Sequence, residues 1–136
     1  MEKPSKKQSA EYLKKRVSID FEGHKKCNLK KTHKDRINFG TSRCDSYGLS
    51  NYLGNLLANN LFQYCADANS VIIREDFKLI AKHAQSIRDY VNADSWDKFA
   101  TTGKDAMTRM IDFEKKEKDW REAMFWLTEN WQGLWW

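Results

Sequence analysis

Turn-forming residues are scarce in this 136-residue chain, with one proline (Pro4) and six glycines. Neither Asn-Gly nor Asp-Gly occurs, so the strongest short-range signals for a β-hairpin are missing. The three cysteines cannot all pair with one another, which argues against a disulfide framework. No run of about 20 apolar residues is long enough to span a bilayer. The least charged stretch, residues 44–73, is broken by Asp45 and Asp67 and by several Asn, Ser, Gly and Gln residues. The first seven residues carry charge with no apolar run behind them, unlike a secretory leader. The expected location is the cytoplasm, where thiols stay reduced.

Catalytic signatures are missing as well. There is no Gly-x-Ser-x-Gly elbow. Gly48 and Gly54 lie six apart but lack the Lys-Ser/Thr of a phosphate loop. The acidic pairs Asp94/Asp97 and Glu75/Asp76 suit helix N-termini, where carboxylates complement the macrodipole. His83 reads as a packed or hydrogen-bonded histidine rather than a general base. The expectation is a non-enzymatic protein without a cofactor.

The composition suits one domain, with 40% hydrophobic and 32% charged residues. It is long enough to bury a core unaided. The net charge of +5 is unevenly spread. Residues 1–44 hold 13 Lys and Arg against 5 Asp and Glu, whereas the remainder holds 11 against 14. Lys25, Lys26, Lys30, Lys31, Lys34 and Arg36 fall within twelve residues that contain one acid, and Arg43 follows. Such a block attracts phosphates through counterion release. It also suits a purely solubilising arm. The segment lacks the Leu/Phe/Trp face of an interfacial helix, so nucleic acid is favoured over a membrane.

The same region holds His24, Cys27, His33 and Cys44, four ligand types that zinc accepts. Their spacing matches no common finger, and no metal is expected.

The rest reads as helix. Ser5 and Gln8 have capping-box spacing and open a short helix over roughly 6–17. Ile19 and Phe21 alternate with acids, and Ile37-Asn38-Phe39-Gly40 follows later; these give minimal strand signals that suit a small basic hairpin or an irregular arm. Beyond a cap at Asp45 or Ser46, Leu49, Leu53, Leu56, Leu57, Leu61, Tyr64 and Cys65 recur with helical period. Phe77, Ile80, Ala81, Ala84, Ile87 and Val91 form the stripe of the next helix. Leu79, His83 and Tyr90 flank it, as expected of a helix that touches two neighbours. Met110, Phe113, Trp120, Met124, Leu127, Trp131 and Leu134 then form a heptad seam. It implies one long helix of about 40 residues, or roughly 60 Å. A seam of that length suggests a second copy of the chain as partner, or else an intramolecular bundle.

Five tryptophans, Trp120, Trp126, Trp131, Trp135 and Trp136, lie in the last seventeen residues. They suit a partner interface, a tail folded back on the core, or stacking of bases.

The stretch from Cys44-Asp-Ser-Tyr-Gly-Leu to Leu61, Glu75-Asp-Phe-Lys-Leu-Ile, and the closing Trp131-Gln-Gly-Leu-Trp-Trp resemble small helical proteins of tailed phages. The resemblance spans residues 44–136. It implies a helical fold and a viral source, with the host cytoplasm as location, and it carries no activity.

The sequence thus predicts an all-α bundle of three to four helices with a long C-terminal helix. Residues 1–43 are expected to form a basic, partly irregular N-terminal arm and residues 44–136 the helical domain. The leading function is binding of nucleic acid or a host nucleoprotein complex, host-defence inhibition included. The alternatives are a sponge for a nucleotide signal and a structural assembly protein.

Overall fold

The computed structural model describes residues 3–18, 29–40, 49–67, 77–93 and 106–134. They form α1 (Lys6–Lys14), α2 (Leu29–Phe39), α3 (Leu49–Ala66), α4 (Phe77–Val91) and α5 (Ala106–Asn130). A 3₁₀ turn, Trp131–Leu134, closes α5. The fold is all-helical among the described residues. Ile37, Asn38 and Phe39 belong to α2, so neither the hairpin strand nor the irregular arm that the sequence allowed forms there; Ile19 and Phe21 lie outside the described residues. No described helix is long and apolar enough to cross a membrane.

α1 begins with the capping box its sequence announces. Ser5 Oγ accepts from the Gln8 N–H at 3.2 Å, and Gln8 Oε1 accepts from the Ser5 N–H at 2.9 Å. Each bond satisfies a donor the helix itself cannot. α1 ends at Lys14, three residues earlier than its periodicity suggested. Tyr12 is buried and meets the Phe77 ring edge-on at 6.1 Å. Although α1 lies in the expected arm, it therefore contributes to the core.

The core forms where α3, α4 and α5 meet. Ala58, Leu61, Phe62 and Cys65 face Phe77, Ile80, Ala81, Ala84 and Ile87, with Ala123 and Leu127 closing from α5. The stripe expected on α4 is the one that packs. On α3 the buried face is rotated from the leucine stripe. Leu53 and Leu56 are exposed, whereas Tyr52, Gly54, Asn55, Ala58 and Phe62 are buried. Small residues cause the rotation, because they let α4 approach closely. A Cβ on Gly54 would press on both γ-methyls of Val91 and stand 3.0 Å from its Cβ.

Polar side chains complete the α3–α4 contact. Asn55 Nδ2 donates to Asn51 O at 3.0 Å and to Asn92 Oδ1 at 2.9 Å, while Asn92 Nδ2 donates to Asn55 Oδ1 at 3.2 Å. Arg88, also buried, donates to Asn55 Oδ1 at 3.4 Å, to Asn59 Oδ1 at 2.5 Å and to the Lys15 carbonyl. Its guanidinium lies over the Phe62 ring, 5.2 Å from the centroid. Burial pulls its pKa below the ordinary arginine value, with Asp89 opposing, yet a guanidinium stays charged in proteins. Carbonyl and amide oxygens replace a carboxylate as its partners here. Asn59 also brackets Val17, accepting from its N–H at 2.9 Å and donating to its carbonyl at 2.8 Å. Together Arg88 and Asn59 hold the chain leaving α1 against α3 and α4.

α5 runs unbroken through Glu114–Asp119, as the seam implied. Lys116–Asp112 at 3.2 Å and Arg121–Glu117 at 3.0 Å support it as i,i+4 pairs. Its 25 residues correspond to about 38 Å, shorter than the expected 60 Å. Most of the seam is used inside the chain. Tyr90 of α4 stacks on Trp120 at 4.6 Å and tilts against Phe113 at 5.9 Å, and Leu127 is buried. The expected second stripe of α4 thus meets α5.

Candidate polyanion interface

α2 has no apolar stripe of its own. Its sequence, LKKTHKDRINF, contains neither proline nor glycine, so nothing within it breaks a helix. Gly40 ends it, with φ +73° and its N–H donating to Arg36 O at 2.8 Å. That left-handed conformation costs a side-chain-bearing residue energy and comes freely to glycine.

One aromatic residue anchors this end. Tyr52 of α3 donates its hydroxyl hydrogen to the Gly40 carbonyl. The Arg36 guanidinium lies over the same ring, 5.5 Å from its centroid. Tyr52 is buried, so α2 is tethered through its last turn.

At 100° per residue, Lys30, His33, Lys34 and Ile37 share one face, with Lys31 beside it. All five are exposed, whereas Asp35 and Arg36 on the other side are half-buried. Ile37 is 84% exposed and Phe39 76%. Lysine ammonium groups, a histidine and two bare apolar side chains therefore share a helix of which no described side chain belongs to the core cluster. The lysine face can bind phosphates through charge, and the Phe39 ring, on the opposite side of the helix, is exposed for base stacking.

Of the residues singled out for polyanion binding, α2 brings together Lys30, Lys31, Lys34 and Arg36. Arg36 differs from the lysines in being folded against Tyr52. Lys25, Lys26 and Arg43 lie outside the described residues. So do three of the four zinc candidates, His24, Cys27 and Cys44; His33 sits exposed on α2. Among the described residues no three His, Cys, Asp or Glu side chains gather as metal ligands do.

The tryptophans divide. Trp120 and Trp126 are half-buried, the second stacked on His83 at 4.9 Å. Burial lowers the His83 pKa, Lys82 adds to this, and Glu122 opposes it. Trp131 stays exposed and lines a mostly apolar cleft of about 340 Å³ with Leu57, Leu61, Tyr64, Leu127 and Leu134. Trp135 and Trp136 lie outside the described residues.

The sequence reading missed Tyr52 as the anchor of α2 and missed the Asn51–Asn55–Asn92 network. Gly40 was the available clue, since a glycine closing a polar segment is a helix C-terminus signal. Comparisons with protein-family models, curated proteins and solved structures return no match.

Proposed function

We propose that this protein is a non-enzymatic binding protein that engages nucleic acid, free or within a nucleoprotein complex, through the outward face of α2. The observation that carries the reading is the exposure of Lys30, Lys31 and Lys34 on a helix held to the body through Tyr52. Their exposure leaves three cationic side chains within reach of a phosphate backbone. The wider excess of basic residues over residues 1–44 supports electrostatic approach to a polyanion. In line with the resemblance of residues 44–136, the proposal takes the chain to be phage-encoded and its target to belong to the host.

The test is binding of fluorescent duplex DNA, single-stranded DNA and single-stranded RNA between 50 and 200 mM salt. Three lysine–phosphate contacts on a duplex predict a loss of affinity of about 40-fold across that range. The triple variant Lys30→Glu, Lys31→Glu, Lys34→Glu should bind none of the three probes while melting like the parent. Salt-independent binding, or an unaffected triple variant, would refute the proposal. Stoichiometric capture of a small nucleotide by that variant would favour the sponge instead.

A further inference from the structure

The face of α5 turned away from the core carries a pattern with no packing partner among the described residues. Phe113, Trp120, Ala123 and Leu127 define the side packed on α4. Half a turn round the helix lie Met107, Ile111, Glu114, Lys118 and Phe125, the first four spaced by 4, 3 and 4 residues and Phe125 seven further on. Met107 is 67% exposed, Ile111 60% and Phe125 69%. Large apolar side chains stand at both ends of this face and charge lies at its middle. Lys116 and Arg121 each form an ion pair along the helix, but Glu114 and Lys118 form none among the described residues.

We propose that this face joins two copies of the chain through antiparallel α5 helices crossing beside residue 116. The charges choose the direction. A parallel pair would set Glu114 against Glu114 and Lys118 against Lys118, which repel. The antiparallel pair sets each Glu114 against the partner copy's lysine at the same height, and each Met107 against the other copy's phenylalanine ring. Methionine sulfur on an aromatic ring is a favourable contact. The register also lays the aliphatic stem of Arg121 along Ile111. Every contact occurs twice about one two-fold axis, so the association closes at the dimer. This surface lies on the far side of α5 from the heptad seam, and the proposal is independent of the reading of α2.

Sedimentation equilibrium at micromolar to 100 micromolar protein tests it. The full chain should sediment as a dimer, and Phe125→Glu as a monomer with unchanged helicity. Glu114→Lys alone and Lys118→Glu alone should each weaken the dimer by about tenfold in Kd. The double variant Glu114→Lys, Lys118→Glu should regain parental affinity, because the swap restores both interchain pairs. A parental chain that is monomeric at 100 micromolar overturns the proposal, as does a dimer indifferent to Phe125→Glu. Single charge variants with no effect, or a double variant weaker than both singles, overturn the antiparallel register.

Discussion

α1 and α2 come from the same lysine-rich third of the chain and are similarly short, yet the fold treats them differently. α1 places Tyr12 in the core, and the chain that follows it is held by Arg88 and Asn59. No described side chain of α2 belongs to that core, and the helix is joined to α3 where Tyr52 meets its last turn. The difference lies in a few residues. Tyr12 and Leu13 give α1 something to bury, whereas the apolar Ile37 and Phe39 of α2 stay in solvent. Basic composition alone therefore does not identify a binding surface. One basic helix is scaffold, and the other keeps its lysines in solvent.

The largest test of this contrast is removal of what holds α1. Tyr12→Ala should destabilise the protein by about 3 kcal/mol, the usual cost of emptying a buried aromatic site, and thermal or urea unfolding would register it. Arg88→Met should cost about 2–3 kcal/mol, because it removes the Arg88 bond to the Lys15 carbonyl and leaves Asn55 and Asn59 with only their donors from Asn92 and Val17. If either variant melted like the parent, α1 would not belong to the scaffold. The triple lysine reversal on α2 should shift stability by no more than about 0.5 kcal/mol, as surface substitutions do.

A smaller effect sharpens the other side. Tyr52→Phe keeps the ring under Arg36 and deletes the bond to Gly40, at a cost of about 1 kcal/mol. Hydrogen exchange should quicken along α2 and stay unchanged along α1. Equal quickening of both helices would mean that Tyr52 supports the whole fold rather than tethering α2.

The smallest effect belongs to neither helix and serves as a control. His83 is stacked on Trp126, and its pKa is lowered chiefly by burial. The unfolded chain therefore takes up its proton first as pH falls. The stability His83 contributes is present above its unfolded pKa of about 6.5 and is lost as pH drops toward the lower folded value. Urea midpoints measured from pH 7.5 down to 5.5 should fall, and His83→Phe should flatten that slope. A slope unchanged by the substitution would assign the acid sensitivity elsewhere.

Local signals were legible in the sequence. The Ser5–Gln8 capping box, the α4 stripe and the unbroken passage of α5 through its charged block are properties of neighbouring residues, and each appears as expected. The buried face of α3 was not legible. Periodicity ranks Leu53 and Leu56 above Gly54, Asn55 and Ala58, while the fold chooses the small residues that let α4 approach. Burial of Asn55 depends on Asn92 and Arg88, more than thirty positions away, and no local pattern encodes that. Trp126 fell off the heptad seam and was not placed on its partner His83 for the same reason. Within the candidate interface, the lysines were evident from charge. Their helical arrangement was not, because α2 lacks an apolar stripe and Ile37 and Phe39 alternate with polar residues as a strand would.

The central claim is that α2, and not basic charge in general, makes the polyanion surface. Matched charge reversals test it most directly, with nucleic-acid affinity measured at one fixed salt concentration. One variant changes Lys6, Lys7 and Lys14 of α1 to Glu; the other changes Lys30, Lys31 and Lys34 of α2. The six lysines are all exposed, and the two variants carry the same net charge. The account predicts that the α2 variant loses binding while the α1 variant keeps most of it. Equal losses in the two variants, or a larger loss from α1, would contradict it.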